Sequence, residues 1–252
     1  MNKKIILKTD GTLNGILTAV FEVFSKNLQN YNNILYCCKT YYNQNFLEQV
    51  ILVKTNEDKS KRVLKKLKTL LKSGNYAKLF IAVKSGDENM PNIVFFYILE
   101  NILNGDDQTD NLRNQKVFLY DKLVRAVLLE AHRFKGFLRF SKLENGVYYA
   151  KYFPDNDITA IISPHFIKRY YNMPFIIHDT HYNQICAHYE NKTIIVNKEV
   201  SEIKVKDEIS NLFKSYCDSI TIKSRENKKL MHNYMPKRYF INAPEKNELL
   251  NI

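Results

Sequence analysis

The sequence contains no tryptophan, only seven glycines and six prolines in 252 residues, and four cysteines. The scarcity of glycine and proline excludes a collagen-like or linker-dominated chain, and the 45% of apolar residues excludes a disordered one. No apolar run approaches the ~20 residues needed to cross a bilayer. Cys37 and Cys38 are adjacent and the other two cysteines are isolated, so neither a CxxC pair nor a disulfide framework is present. We therefore expect a folded protein of the cytoplasm.

Common catalytic signatures are also missing. The sequence has no P-loop, GxGxxG, GxSxG or HExxH motif, and no CxxxCxxC motif for an iron–sulfur cluster. The pairs His178/His181 and Cys186/His188 do not have the spacing of a zinc site. We expect no cofactor and no bound metal.

Positive charge is plentiful, with 38 Lys and Arg against 26 Asp and Glu. Most of these cations are lysines in a chain rich in Asn and Ile, which is typical of AT-rich coding sequences, so their distribution is more informative than their number. Residues 59–84 carry nine basic residues and no acid, residues 85–111 carry six acids and no base, and residues 223–238 carry six bases and one acid. Such patches favour nucleic-acid binding.

Hydrophobic spacing predicts the elements of the first half. They are a strand at 4–8, a helix at 13–26, strands at 34–38 and 49–54, a Lys-rich helix at 61–72, and helices at about 75–84 and 91–103. Pro91 suits a first helical turn. The acidic segment 104–111 is the best candidate for an internal boundary, which would separate an N-terminal region, 1–112, from a region 113–252 that ends in a basic tail.

The second half has a different pattern. Apolar spacing predicts a long helix from about 117 to 131 with Gly136 as its C-cap glycine, then a strand at 137–141 and a two-residue hairpin turn at Asn145-Gly146. Ser163 and Pro164 suit the N-cap and first position of a helix at 163–171. Further strands are predicted at 175–179, 184–189 and 193–197, and a helix at 205–217. This order predicts an α+β fold with a mixed, mainly antiparallel sheet packed with helices.

The segment HRFKGFLRF, residues 132–140, concentrates cations where the predicted helix meets the predicted strand. Arg133 and Arg139 are candidates for phosphate binding there, and His132 for proton transfer. In the alternative, His132 and Arg133 cap the last carbonyls of the helix and the phenylalanines belong to the core.

A second candidate lies in SPHFIKRYY, residues 163–171. His165 and Arg169 are four residues apart and therefore neighbours on one helix face, with Lys168 beside them. These cations and the adjacent aromatic rings can clamp a phosphate and a base. In the alternative, the rings anchor the helix while the charges are solvated.

Two further features complete the candidate set. Asp179, at a predicted strand end, is the best single candidate for a functional carboxylate. The tail interleaves cations with aromatic rings, which suits a surface that follows a nucleic-acid backbone, although a solvated segment pinned by Tyr239 fits the same pattern. The tail candidates are Arg225, Lys228, Lys229, Tyr234, Lys237 and Arg238.

Four segments, taken in order, resemble a bacterial family of unknown function labelled "probable DNA metabolism protein". They are TDGTLNGILTAVFEVF (9–24), EAHRFKGFLRFSKLENGVYYAKYFPDND (130–157), ISPHFIKRYYNMPFIIHD (162–179) and IKSRENKKLMHNYMPKRYF (222–240). The resemblance implies a protein encoded beside a radical-SAM partner suspected of DNA modification or repair, with relatives fused to uracil-DNA glycosylase domains. It implies no established reaction. The family tends to have Trp where this chain has Phe175 and Phe240, and Tyr where it has His178.

Three functions remain open at this point. The first is a DNA-binding protein of repair or modification that acts with a radical-SAM partner through the cations named above. The second is a glycosylase-like or nuclease-like enzyme in which His132, His165 or Asp179 performs acid–base chemistry. The third is a non-catalytic adaptor that docks the radical-SAM protein.

Overall fold

The computed structural model describes residues 4–28, 34–37 and 48–198, together with Ser219, Ser224, Asn227, Lys229, Leu230 and Tyr239. Six helices and eight strands lie within these described residues, which confirms the predicted α+β class. The chain divides into two compact units, Met1–Leu128 and Leu129–Ile252. The predicted boundary segment, 104–111, precedes the fifth helix, whereas the division between the units falls inside that helix.

The first unit is built from a small parallel sheet and helices. Its elements are β1 (Lys4–Lys8), α1 (Leu13–Ser25), β2 (Ile34–Cys37), β3 (Glu48–Leu52), α2 (Glu57–Leu70), α3 (Ser73–Ala82), α4 (Met90–Asn104) and the first part of α5 (Gln115–Phe137). The sheet order is β2-β1-β3, and β1 pairs with both neighbours in parallel. The predicted strands and helices of this half are confirmed, with ends that differ by a few residues.

A polar turn joins β1 to α1. The Thr12 side chain caps the helix by accepting a hydrogen bond from the Gly15 amide at 3.1 Å. Asp10 accepts hydrogen bonds from the Thr12 amide and hydroxyl and from the hydroxyl of Thr55. A Cβ atom at position 15 would collide with Asp10 Oδ1, so a larger residue there would displace this carboxylate from its present position.

The Lys-rich helix α2 begins four residues before its predicted start. Asn56 caps it by accepting a hydrogen bond from the Lys59 amide, and Glu57 and Asp58 occupy the first turn, where negative charge is favourable. Val63 and Leu67 are buried in the core of the unit. The lysines of the opposite side are mostly exposed, as the helical periodicity predicts.

The acidic segment after α4 is held in place by hydrogen bonds. Pro91 lies in the first turn of α4, as predicted, and Gly105 ends that helix at a φ of 75°. Asp107 accepts hydrogen bonds from the Lys72 amide and the Asn75 side chain at the start of α3. Burial raises the pKa of Asp107, but hydrogen bonds from Thr109, Asn75 and the backbone outweigh it and lower the pKa to about 2.

The second unit contains the end of α5 and a five-stranded mixed sheet. Its other elements are β4 (Ser141–Lys142), β5 (Tyr148–Tyr152), α6 (Thr159–Arg169), β6 (Phe175–Asp179), β7 (Gln184–Tyr189) and β8 (Lys192–Asn197). The sheet order is β4-β5-β6-β7-β8. β5 and β6 are parallel because α6 connects them, and the other neighbouring pairs are antiparallel. The mainly antiparallel pairing expected from the sequence therefore describes this sheet, whereas the sheet of the first unit is parallel throughout.

The hairpin between β4 and β5 is present, but its turn differs from the predicted two-residue form. The Gly146 amide donates to the Leu143 carbonyl and the Leu143 amide donates to the Val147 carbonyl, which encloses a three-residue loop. Gly146 adopts a φ of 82°, whereas Asn145 does not take a positive φ. This geometry is a type I turn followed by a left-handed glycine, the next most common way to close a hairpin.

The predicted strand at 137–141 is wrong, and so is the assignment of Gly136 as a C-cap. Helix α5 continues through Gly136 to Phe137, and β4 contains only Ser141 and Lys142. Phe134 is fully buried and Leu138 is 5% exposed, and the Leu138 amide donates to the Phe134 carbonyl. Packing of this helical turn outweighs the strand propensity of Phe-Leu-Arg-Phe.

The predicted start of α6 at Ser163 and Pro164 is also wrong. The helix begins at Thr159, and Pro164 lies in its interior. The Ser163 hydroxyl donates to the Thr159 carbonyl, so it serves the helix interior and not its cap. Pro164 is tolerated there because the carbonyl it leaves unpaired belongs to Ala160, an exposed residue.

No helix in the described part of the chain is long and apolar enough to span a bilayer. The helix predicted at 205–217 lies outside the described residues.

Candidate nucleic-acid interface

The end of α5 presents an arginine that closes the helix. Arg139 donates from Nη1 to the Gly136 carbonyl at 2.7 Å, so its side chain satisfies one of the last helical carbonyls. The sequence placed Arg139 on a strand face, and the structure places it in the connection after α5. Lys135, half-buried, lies in the last turn of the same helix, where a cation interacts favourably with the helix dipole.

Helix α6 presents three cationic or titratable side chains near its C-terminal end. His165, Lys168 and Arg169 are exposed, as the predicted amphipathic face requires. The Arg169 guanidinium lies 5.7 Å from the centre of the Tyr170 ring, within the range of a cation–π contact. Lys168 and Arg169 occupy the last turn of the helix.

Aromatic packing fixes the connection after α5 against α6. The Phe140 ring contacts Phe166 at 5.3 Å, Tyr170 at 5.0 Å and Phe175 at 5.8 Å between centroids. Phe166 and Phe175 are buried. Because Phe140 directly follows Arg139, this packing places the arginine segment beside the basic helix.

Two of these cations, Lys135 and Arg169, lie near the His165 ring. The pKa of His165 is lowered, first by desolvation of its ring and then by repulsion from the charges of Lys135 and Arg169. We call Lys135, Arg139, His165, Lys168 and Arg169 the cationic surface.

The other two predicted residues of α5 lie further back along the helix. His132 is exposed and Arg133 is half-buried. His132 is three residues before Lys135 and therefore shares its side of the helix. Neither residue caps the helix end, because α5 continues beyond both.

Asp179 lies in a different environment. It is fully buried at the end of β6, where its Oδ1 accepts hydrogen bonds from the amides of His181 and Tyr182 at 2.9 and 3.0 Å. Its Oδ2 accepts from the Thr159 hydroxyl at 3.2 Å. Burial raises the pKa of Asp179, and these hydrogen bonds oppose the rise. Within the described residues, no hydrogen bond or ion pair joins it to the two candidate histidines His132 and His165.

The histidines and cysteine around Asp179 are mostly core residues. His178 and His188 are about 95% buried, and each is hydrogen-bonded through Nδ1, to Tyr149 and Thr193 respectively. Cys186 is fully buried, and burial raises the pKa of its thiol. The described residues contain no group of three or more such side chains arranged to hold a metal.

A buried carboxylate that the sequence patterns did not predict is Glu130 on α5. Glu130 accepts hydrogen bonds from the amides of Asp155 and Asn156 at 2.9 Å, and from the Tyr239 hydroxyl at 3.3 Å. The available signal was its position on the apolar stripe of α5, three residues after Val127 and four before Phe134.

An exposed stack of two rings was likewise not predicted from the sequence. The Phe153 and His181 rings lie parallel, with an interplanar angle of 9° and centroids 4.7 Å apart. We call these two residues the aromatic pair. They come from the loops after β5 and β6, which separate them by 28 positions, and no local pattern connects them.

Most of the predicted tail residues, namely Arg225, Lys228, Tyr234, Lys237 and Arg238, lie outside the described residues. Lys229 is exposed. Tyr239 is buried against Phe134, with centroids 4.8 Å apart, so at this position the tail contacts the core of the second unit.

The fold and this surface define a basic α+β protein with clustered cations in its second unit. The model of the DUF4130 family, described as a domain of unknown function, matches residues 88–245. The chain belongs to the DUF4130 family. No curated protein matches the sequence.

Proposed function

We propose that this protein binds DNA in the cytoplasm, in DNA repair or modification, and that the cationic surface contacts the phosphates. The observation that carries the proposal is the grouping of two cations, Lys135 and Arg169, around the exposed His165 ring, whose pKa is lowered first by desolvation and then by those two charges. Like charges repel, so grouping them costs stability unless an anion is bound between them.

The surroundings of the cationic surface support a nucleic acid over a small anion. Tyr148 and Tyr170 lie parallel, 6.4 Å apart between centroids, and Tyr171 is 60% exposed beside them. Cations next to exposed rings can contact phosphates and bases at the same time. The tail cations Arg225, Lys228, Lys229, Lys237 and Arg238 would extend this surface.

The proposal includes a radical-SAM partner, which the sequence resemblance implies. This chain lacks the CxxxCxxC motif for an iron–sulfur cluster, so the partner would supply the radical chemistry. The contribution of this chain would be to hold the DNA.

The test removes three cations of the surface together, as Lys135→Ala, Lys168→Ala and Arg169→Ala. Binding to duplex DNA is measured by fluorescence anisotropy between 50 and 200 mM salt. Each lost phosphate contact should reduce the slope of log affinity against log salt by about 0.9, so the slope should fall by roughly 2.7.

A matched control removes the same charge elsewhere, as Arg113→Ala, Lys122→Ala and Lys192→Ala, all of which are exposed. The control should bind with a slope close to that of the wild type. Equal slopes for the two triple variants would contradict the assignment of the cationic surface. Co-purification with a radical-SAM protein by a wild-type chain without DNA affinity would instead support an adaptor.

A further inference from the structure

The aromatic pair consists of two stacked, exposed rings. Phe153 is 53% exposed although it lies directly after the buried Tyr152. One face of its ring is covered by His181, which is itself exposed. The centroid of the Tyr182 ring lies 4.5 Å from that of His181, so the His181 ring contacts two aromatic rings.

Hydrogen bonds hold the histidine of the pair in one orientation. His181 Nδ1 lies 2.6 Å from the Pro154 carbonyl, which can only accept, so Nδ1 carries the proton. In the neutral ring the lone pair is then on Nε2, which has no hydrogen-bond partner among the described residues. The His181 amide donates to the buried Asp179, which fixes the backbone as well.

The two loops that carry the pair are tied together at further points. The Tyr182 hydroxyl donates to the Asp155 carbonyl at 2.7 Å. The Thr180 amide and hydroxyl both donate to the Tyr152 carbonyl. The surface is therefore preorganised, and a ligand that stacks on it has little conformational entropy to remove.

Carboxylates lie near the Tyr182 ring, which adjoins His181. The pKa of Tyr182 is raised to about 12, first by burial and then by carboxylates that disfavour a further negative charge. Those carboxylates are Asp157, Asp179, Glu130 and Asp155. A phosphate is disfavoured in this field, whereas a positively charged ring is attracted both by the carboxylates and by the face of Phe153.

We propose that the aromatic pair is a stacking site for an unpaired nucleobase, and that the surrounding carboxylates select a positively charged, N-alkylated base over a neutral one. The proposal rests on the proposed function, because the cationic surface would hold the DNA strand that carries the base. Stacking needs only the π-face of the base, and the charge provides the selectivity. The ligand is thus an alkylated base in single-stranded DNA.

The test compares two labelled single-stranded oligonucleotides that differ at one position, which is adenine in one and 1-methyladenine, a cation at neutral pH, in the other. Affinities of the full-length protein are measured by fluorescence anisotropy. The wild type should prefer the methylated strand by roughly 2- to 30-fold, the ratio expected of a cation–π contact. Phe153→Leu keeps an apolar side chain without the ring, and it should bind the two strands equally because the base is then no longer stacked beside the carboxylates.

Two variants and a melting curve control this experiment. Phe153→Tyr keeps a ring and should keep the preference, and so should Tyr189→Leu, which removes an aromatic side chain that is 61% exposed elsewhere in the unit. Thermal melting should be unchanged in all three variants, because both positions are largely exposed.

The outcomes separate the two proposals. Binding of both strands without a preference overturns the stacking site and leaves the DNA-binding function standing. A preference that survives Phe153→Leu also overturns it. Failure of the wild type to bind either single strand overturns the stacking site, and only a failure to bind duplex DNA as well overturns the proposed function.

Discussion

At the residue scale, Asp179 shows how a buried carboxylate can serve the fold. Both of its oxygens accept hydrogen bonds, from two backbone amides and from Thr159. These bonds shape the turn that carries His181 and connect β6 to the start of α6. The role visible in the structure is therefore the positioning of a loop, and burial, which raises the pKa of Asp179, disfavours its ionised form.

The first prediction concerns the substitution of Asp179 by Asn or Ala. Asn keeps an acceptor for the two amides and removes a buried charge, so at pH 7 Asp179→Asn should be as stable as the wild type or slightly more so. Asp179→Ala leaves the amides without an acceptor and should lose about 1–3 kcal/mol of unfolding free energy. Urea denaturation at pH 7 measures both values.

The raised pKa of Asp179 also predicts how the stability difference between Asp179→Asn and the wild type changes with pH. A raised pKa means that the native state holds the proton more tightly than the unfolded chain, whose pKa is near 3.8. The resulting stabilisation is complete below that pH and is lost as the pH rises through the native pKa. The stability of Asp179→Asn relative to the wild type should therefore increase between pH 4 and pH 7. Equal loss of stability in the Asn and Ala variants at pH 7 would contradict this account.

Some residues of the candidate site could be predicted from the sequence and others could not. His165 and Arg169 are four residues apart on one helix, and local periodicity placed them together on an exposed face. The aromatic pair joins two loops through the parallel pairing of β5 and β6, and Glu130 contacts a loop 25 positions later. Such contacts depend on tertiary pairing, which spacing along one segment does not encode.

At the element scale, two glycines can be compared: Gly136 in the last turn of α5 and Gly146 in the hairpin between β4 and β5. Gly136 is exposed within the helix, and a Cβ atom there would meet nothing within 4 Å. Gly146 also has open space around it, but its φ of 82° is one that other residues adopt at a cost.

The second prediction is that alanine has opposite effects at these positions. Gly136→Ala should raise the free energy of unfolding by about 0.5–1 kcal/mol, because it stiffens the unfolded chain and suits a helix. Gly146→Ala should lower it by about 1–2 kcal/mol. Urea denaturation of both variants provides the check. Loss of stability in both would mean that Gly136 ends the helix in a left-handed conformation.

The element ends show where sequence patterns stop being informative. The helix patterns in the first unit predicted the correct elements because apolar stripes mark the helices, and because Thr12 and Asn56 cap α1 and α2. In the second unit, Ser163 and Pro164 have the chemistry of a helix start yet lie inside α6. The start of α6 at Thr159 is set by packing, since Thr159 is fully buried and hydrogen-bonded to Asp179 and Tyr152.

At the scale of the whole molecule, α5 belongs to both compact units. Val117, Tyr120 and Val124 lie in the core of the first unit, and Ala131 and Phe134 are buried in the second. Helix formation is cooperative along its length. A break in the middle of this helix should therefore weaken both units.

The third prediction tests this coupling with Leu129→Pro. Leu129 is 51% exposed, so the substitution mainly removes a helical hydrogen bond and adds a steric clash, at about 3 kcal/mol or more. Hydrogen exchange should become faster in α1 and also in β6. Leu129→Ala keeps the helix and should leave exchange nearly unchanged. Faster exchange in only one of the two units would show that the helix does not couple them.

Charge is likewise a property of the whole chain. The first unit has 19 Lys and Arg against 12 Asp and Glu, and the second has 19 against 14. Both units should therefore be attracted to a polyanion at long range, and this attraction should weaken as salt screens it. The net charge favours a polyanionic partner, whereas the proposed contact surface rests on the folded arrangement of Lys135, His165 and Arg169.

The central position of β1 in its sheet has a consequence for the order in which the chain is made. On the ribosome, β1 emerges before both of the strands that pair with it, and its second edge has no partner until residues 48–52 have left the exit tunnel. Helix α1 needs only local hydrogen bonds and can form early. The nascent first unit must therefore keep at least one edge of β1 unpaired for the time taken to add some forty residues, a few seconds at ordinary rates of translation. Synonymous codons that slow translation between α1 and β3 should lengthen this interval and expose β1 to aggregation.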